Sequence, residues 1–138
     1  MMAEENFGFI EIDHTADCAL KVWAPDLPGL FRLAATGMYS LTETTFAVQP
    51  RVERVIALSG IDTESLLVSF LSELLYLGES EGLGFDHFQV TVLDTTLHAW
   101  VGGVPIAGQK REIKAVTYHN LQIIHTAAGF SVTIVFDV

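Results

Sequence analysis

Along this chain the spacing of apolar residues changes from every second position to every third or fourth and back again, and those changes divide it into elements. Phe7 to Ile12 alternates weakly and Cys18 to Trp23 more clearly, so both read as strands, with Lys21 outward if the second lies at a sheet edge. Asp26 then stands where an N-cap belongs, with Pro28 in the first turn. Leu30, Phe31, Leu33, Ala34, Met38 and Leu41 follow a helical rhythm. Gly37 inside that run costs about 1 kcal/mol relative to Ala, so tertiary packing has to hold this helix. Val52 to Leu58 reads as a strand ended by Ser59-Gly60.

The clearest helix follows, capped by Asp62. Leu66, Leu67, Phe70, Leu71, Leu74 and Leu75 form one buried stripe, with Ser69, Ser72 and Glu73 opposite and Gly78 or Gly82 as the stop. The remainder reads as sheet: Phe88 to Leu93, Leu97 to Val101, Ile113 to Tyr118 with Leu121 to Ile124, and Ser131 to Phe136, with a turn at Asp94-Thr95-Thr96. Two helices among about six strands, without strict alternation, predict an α+β domain. It is expected to be a single two-layer unit over residues 1–138, a mixed β-sheet packed against the two helices, because no repeat, low-complexity tract or linker divides the chain.

Charge narrows the functional classes. Seven Lys and Arg against 17 Asp and Glu leave a formal charge of -10, which repels nucleic-acid phosphates. Only Lys110, Arg111 and Lys114 cluster among the cations, so strong direct binding to RNA or DNA is not expected. The excess suits a basic partner surface or a cation site, or simply solubility. No apolar run reaches the 18 or so residues of a spanning helix, and the first dozen residues carry Glu4, Glu5 and Glu11 without a Lys or Arg, against a signal peptide. A cytoplasmic protein away from membranes is the expectation. The one cysteine, Cys18, rules out an intramolecular disulfide and a Cys-only zinc site, and reads as a buried structural thiol.

Three segments carry candidate chemistry. Asp13-His14-Thr15-Ala16-Asp17 falls between two strands, where its carboxylates can either satisfy turn amides or ligate a hard cation such as Ca²⁺, Mn²⁺ or Mg²⁺. The last strand stops at Asp137-Val138. If it runs beside Cys18–Trp23, Asp137 and the Val138 carboxylate come near Asp17, a crowd of anions that favours a bound cation. The alternative is a strand that happens to end there. Lys114 opens the third segment, Lys114-Ala115-Val116-Thr117-Tyr118-His119, as a solubilising edge lysine or a working cation. His119 reads more readily as a hydrogen-bonded imidazole than as a ligand, and Lys110-Arg111 as a solvated turn.

These residues resemble the archease family. The match rests on the Asp13–Asp17 motif, Leu66-Leu67-Val68 with Glu73-Leu74-Leu75-Tyr76-Leu77, the Lys114–His119 motif and the closing Phe136-Asp137-Val138, in order along the whole chain. The resemblance implies a non-enzymatic protein cofactor of the RtcB-type RNA ligase of tRNA splicing and RNA repair. That ligase joins a 2′,3′-cyclic phosphate or 3′-phosphate end to a 5′-OH through its own guanylylated histidine. The resemblance also implies a divalent metal ion on Asp17, Asp137 and Val138, an activating role for Lys114, and supporting roles for Asp13 and His14, with His119 beside them. Two departures stand out: Gly102 to Gln109 is apolar and Gly-rich where a more charged loop is usual, and Ser69-Phe70 replaces the usual residues. Rival readings are a small metal-dependent hydrolase using Asp17, Asp137 and His14, and a chaperone or modulator of RNA-modifying enzymes.

Overall fold

The computed structural model describes residues 6–13 and 17–138. Among them lie β1 (Gly8–Asp13), β2 (Cys18–Ala24), α1 (Leu27–Leu41), β3 (Thr45–Phe46), β4 (Val52–Ser59), α2 (Thr63–Glu81), β5 (Leu83–Leu93), β6 (Thr96–Gly108), β7 (Ala115–Val116), β8 (Ile124–Thr126) and β9 (Gly129–Asp137). The strands form two sheets, and every pairing is antiparallel. One runs β1-β2-β9-β7 with β8 also on β9; the other has β6 at its centre, β5 along one edge and β4 and β3 along the opposite edge. The α+β class with two main helices holds, and the strands divide over two antiparallel sheets rather than one mixed sheet. The helices serve both: α1 packs on β1, β2, β9 and β5, and α2 on β4, β5, β6 and β7.

Local chemistry sets the helix ends. The Asp26 carboxylate accepts from the Gly29 N–H at 2.8 Å, and Pro28 needs no partner in that first turn. Asp62 and Ser65 exchange reciprocal cap bonds of 2.7 and 3.3 Å. Gly82, at φ 69°, ends α2 in the left-handed region that glycine enters without strain, while Gly78 stays inside the helix. The buried stripe of α2 matches the apolar spacing, with Leu75 at its partly buried margin. Gly37 earns its place in α1 by contact, since a Cβ there would meet the Leu20 side chain at 2.6 Å and the Phe9 ring at 3.1 Å. The helix accepts a poor helix former so that two strands can approach it.

The second half of the chain departs from its periodicity. β6 does not stop at Val101 but continues through Gly102-Gly103-Val104-Pro105 to Gly108. Gly103 lies directly against the Gly84 carbonyl and 2.8 Å, by its virtual Cβ, from the Phe85 ring, so the absence of a side chain is what lets the paired strands close. Conversely, the expected strand Ile113–Tyr118 shrinks to Ala115–Val116. Thr117 spends both its N–H (3.0 Å) and its hydroxyl (2.9 Å) on the Val135 carbonyl, and the chain then turns at Tyr118–Leu121, with Asn120 at φ 50°. Leu121 to Ile123 is loop, held to the start of α2 by the Ile123 N–H on the Glu64 carboxylate at 2.9 Å. Lys21 is exposed, though not on an edge strand: β2 lies between β1 and β9, and the outward face of their sheet is open.

Candidate functional site: an acidic sheet end

The register of β2 against β9 builds the site. Cys18 pairs with Phe136, Leu20 with Ile134 and Val22 with Val132, all buried toward the helices. Because a slip of one residue would turn that set outward, burial locks the register. Its consequence falls one step beyond the last pair: Asp17, just before β2, is set across from Asp137, the last residue of β9. Asp17 is half-buried and Asp137 exposed, and Val138 follows at 40% exposure.

Lys114 arrives from the other side. Its N–H donates to the Asp137 carbonyl at 2.7 Å, and the next residue, Ala115, pairs with Asp137 in the ladder. The exposed Lys114 therefore flanks the acidic end. His119 sits further along the same segment, its N–H on the Thr117 hydroxyl at 3.2 Å and its Nε2 3.3 Å from Asn120 Nδ2. Since Thr117 is bound to β9, His119 is tethered to the strand that carries Asp137. Asp13 closes β1 opposite Cys18. The Asp13 side chain and His14 lie outside the described residues.

An unforeseen pair supports this end. The Arg111 guanidinium meets Glu11 of β1 at 3.0 Å and the Leu41 carbonyl at 3.4 Å, while the N–H groups of Lys110 and Arg111 both donate to the Thr42 carbonyl. Lys110-Arg111 is thus no free turn: it closes the C-terminus of α1, where the helix dipole favours a cation. The Glu11 carboxylate holds the Arg111 guanidinium above its ordinary range. With 100 positions between the partners, no local pattern announces the contact.

Oxygen donors dominate the sheet end, and the sole thiol, Cys18, is buried. Such a donor set fits a hard cation that takes carboxylate oxygens and water. Among the described residues no three His, Cys, Asp or Glu side chains form a metal-holding group. Asp17 and Asp137 are the carboxylates that the register brings to this end. No helix among the described residues is long and apolar enough to cross a membrane.

The likeness to known proteins spans the same elements. The Archease protein family model matches residues 9–138. The chain is 34% identical over 136 residues to the protein archease of Methanosarcina mazei, covering 92% of this chain and 93% of that one. It is 36% identical over 121 residues to the protein archease of Methanopyrus kandleri, covering 82% and 86%. The solution structure of Methanobacterium thermoautotrophicum protein 1598 superposes with a TM-score of 0.75 at 29% identity, over 95% of this chain and 99% of that one. The crystal structure of a Thermotoga maritima archease, described as a possible chaperone, has the same fold, with a TM-score of 0.70 at 21% identity over 100% and 98%. The chain belongs to the archease family.

Proposed function

We propose that this chain works as a single-domain, cytoplasmic protein cofactor of an RtcB-type RNA ligase, promoting its guanylylation and repeated turnover without catalysis of its own. The observation that supports the reading most is the register that sets Asp17 across from Asp137, with Lys114 hydrogen-bonded alongside. These charged groups stand together at one end of the sheet.

In this reading the acidic end docks transiently at the ligase's nucleotide cleft. Asp17, Asp137 and the Val138 carboxylate hold a Ca²⁺, Mn²⁺ or Mg²⁺ ion. When bound, such an ion supplies a compact positive charge that orders phosphate oxygens. Lys114 presents an ammonium group beside it, and the short β7 ladder holds its backbone in place. Arg111 with Glu11, and the Thr117–His119 turn, keep the flanking segment fixed. Asp13 and His14 complete the loop between β1 and β2 as supporting residues.

The test is multiple-turnover ligation by the cognate ligase, held limiting, with guanylylated ligase followed in the same tubes. Both quantities are expected to rise with this protein and to fall back with Asp17→Asn, Asp137→Asn or Lys114→Ala. Calorimetry should show Lys114→Ala still binding the metal. An active cognate ligase indifferent to the protein would overturn the reading. Phosphatase activity of the chain alone, abolished by Asp17→Asn, would favour a hydrolase. Rescue of unrelated aggregating proteins without need of Lys114 would favour a chaperone.

A further inference from the structure

Strand β1 forms one edge of the β1-β2-β9-β7 sheet. It pairs with β2 in unbroken register from Gly8–Trp23 to Asp13–Cys18, and among the described residues nothing pairs with its other side. An edge strand presents unpaired N–H and C=O groups, and proteins ordinarily blunt such edges with short strands, bulges, Pro or charged side chains. The other edges of this protein are blunted in these ways. β7, β8 and β3 are two, three and two residues long. β5 breaks its register between Phe85 and His87, where Asp86 is tied to Arg51 at 2.8 Å. On β4 the Arg54 guanidinium donates to the Glu53 carbonyl at 2.8 Å and to the Glu81 carboxylate at 2.7 Å.

β1 is left regular. It has neither a bulge nor a Pro or Lys; of its two acidic residues, Glu11 is engaged by Arg111 at 3.0 Å and Asp13 is the last of the strand. The face beside this edge is apolar as well. Phe9 lies against α1 at Gly37, so Ile10 and Ile12 face away from the helix, at 56% and 37% exposure. On the same face the Trp23 ring lies against Gly8, where a Cβ would fall 2.7 Å from it. A regular edge with apolar side chains at alternate positions suits an added strand, in which main-chain hydrogen bonds supply affinity and the alternate side chains supply specificity.

Position and charge name the occupant. β1 ends at Asp13, which pairs with Cys18, the neighbour of Asp17, so a strand laid along β1 runs up to the acidic end. A second copy would bring together two chains of formal charge -10. An enzyme that holds RNA phosphates presents Lys and Arg, and its field draws this chain in. We propose that β1 takes an added strand from the partner ligase, an extended segment whose backbone pairs with the open edge and whose alternate apolar residues lie beside Ile10 and Ile12. The identity of the partner rests on the function proposed above; the added strand rests on β1 itself.

Amide hydrogen exchange of the whole chain, with and without the cognate ligase, tests the assignment alongside the ligation assay. Residues 8–13 are expected to exchange at least about tenfold more slowly in the complex, while residues 52–59 of β4 stay unchanged. Ile10→Thr combined with Ile12→Thr keeps strand propensity and net charge and removes the apolar pair. It is expected to raise the half-saturating concentration for ligase activation about tenfold, with maximal turnover and calorimetric metal binding as in the wild type. Activation without slowed exchange in β1, or with wild-type half-saturation in the double variant, would overturn the added strand and leave the activator function standing. A protein that neither binds nor activates the ligase would remove that function and this occupant together. Protection of β1 that grows with the concentration of the chain alone would assign the edge to a second copy and overturn the proposal.

Discussion

The two sheets of this protein pair the same way and end differently. The β4-β6-β5 sheet closes its polar ends with ion pairs: Arg51 takes Asp86 at 2.8 Å, and Arg54 takes Glu81 at the end of α2 at 2.7 Å. The β1-β2-β9-β7 sheet ends on Asp17, Asp137 and Val138, bordered by Lys114, whose backbone alone is bonded to Asp137. A sheet needs its buried rows for stability, whereas surface charges contribute little to it. The two ends therefore differ in composition: the first brings each carboxylate to an arginine, whereas the second sets two carboxylates across from each other, with its own Arg111–Glu11 pair farther along β1.

The sharpest way to break this comparison is through the β4-β6-β5 sheet. Gly103→Val places a side chain against the Gly84 carbonyl and should destabilise the fold by about 3 kcal/mol, measured by urea unfolding, with ligase activation lost only as the folded fraction falls. Asp137→Asn is the reverse case. It should cut ligase activation at least about tenfold and leave unfolding free energy within about 0.5 kcal/mol, because Asp137 is exposed at a strand end. An equal loss of stability would make Asp137 a structural residue. Asp62→Ala removes the α2 cap and should cost about 1 kcal/mol with activation intact.

The smallest effect concerns pH. Hydrogen bonds from Arg51 hold the Asp86 carboxyl below its ordinary value, and Arg54 does the same for Glu81. A lowered folded-state value adds stability above the unfolded-state pKa, near 4, and loses it as pH falls through the folded value. The melting-temperature gap between the wild type and Asp86→Asn should accordingly be present at neutral pH and close below about pH 4. A gap that persists undiminished in acid would show that the Arg51–Asp86 pair acts through packing alone.

Some of this was legible residue by residue. The 3,4 spacing of Leu66 to Leu74 and the carboxyl groups of Asp26 and Asp62 located both helices, because helix formation depends on near neighbours. The alternation in Cys18–Trp23 and Ser131–Phe136 located the strands whose pairing makes the sheet end. What failed was local reading where long-range contacts decide. Gly102-Gly103 and Pro105 look like a loop but continue β6, since the close approach of Gly84 accommodates them. Ile113 to Tyr118 looks like a strand but yields to Thr117 bonding β9 and to a turn at Asn120.

By itself, then, the sequence determined the α+β class, the two helices with their caps and the absence of a Cys framework. Each of these follows from composition or from spacing within a few residues. Only the tertiary structure decided that Asp17 is set across from Asp137, that Lys114 borders them and that Arg111 reaches Glu11. Those contacts join residues far apart in the chain, and their geometry comes from which side chains the shared core buries, which no local pattern encodes.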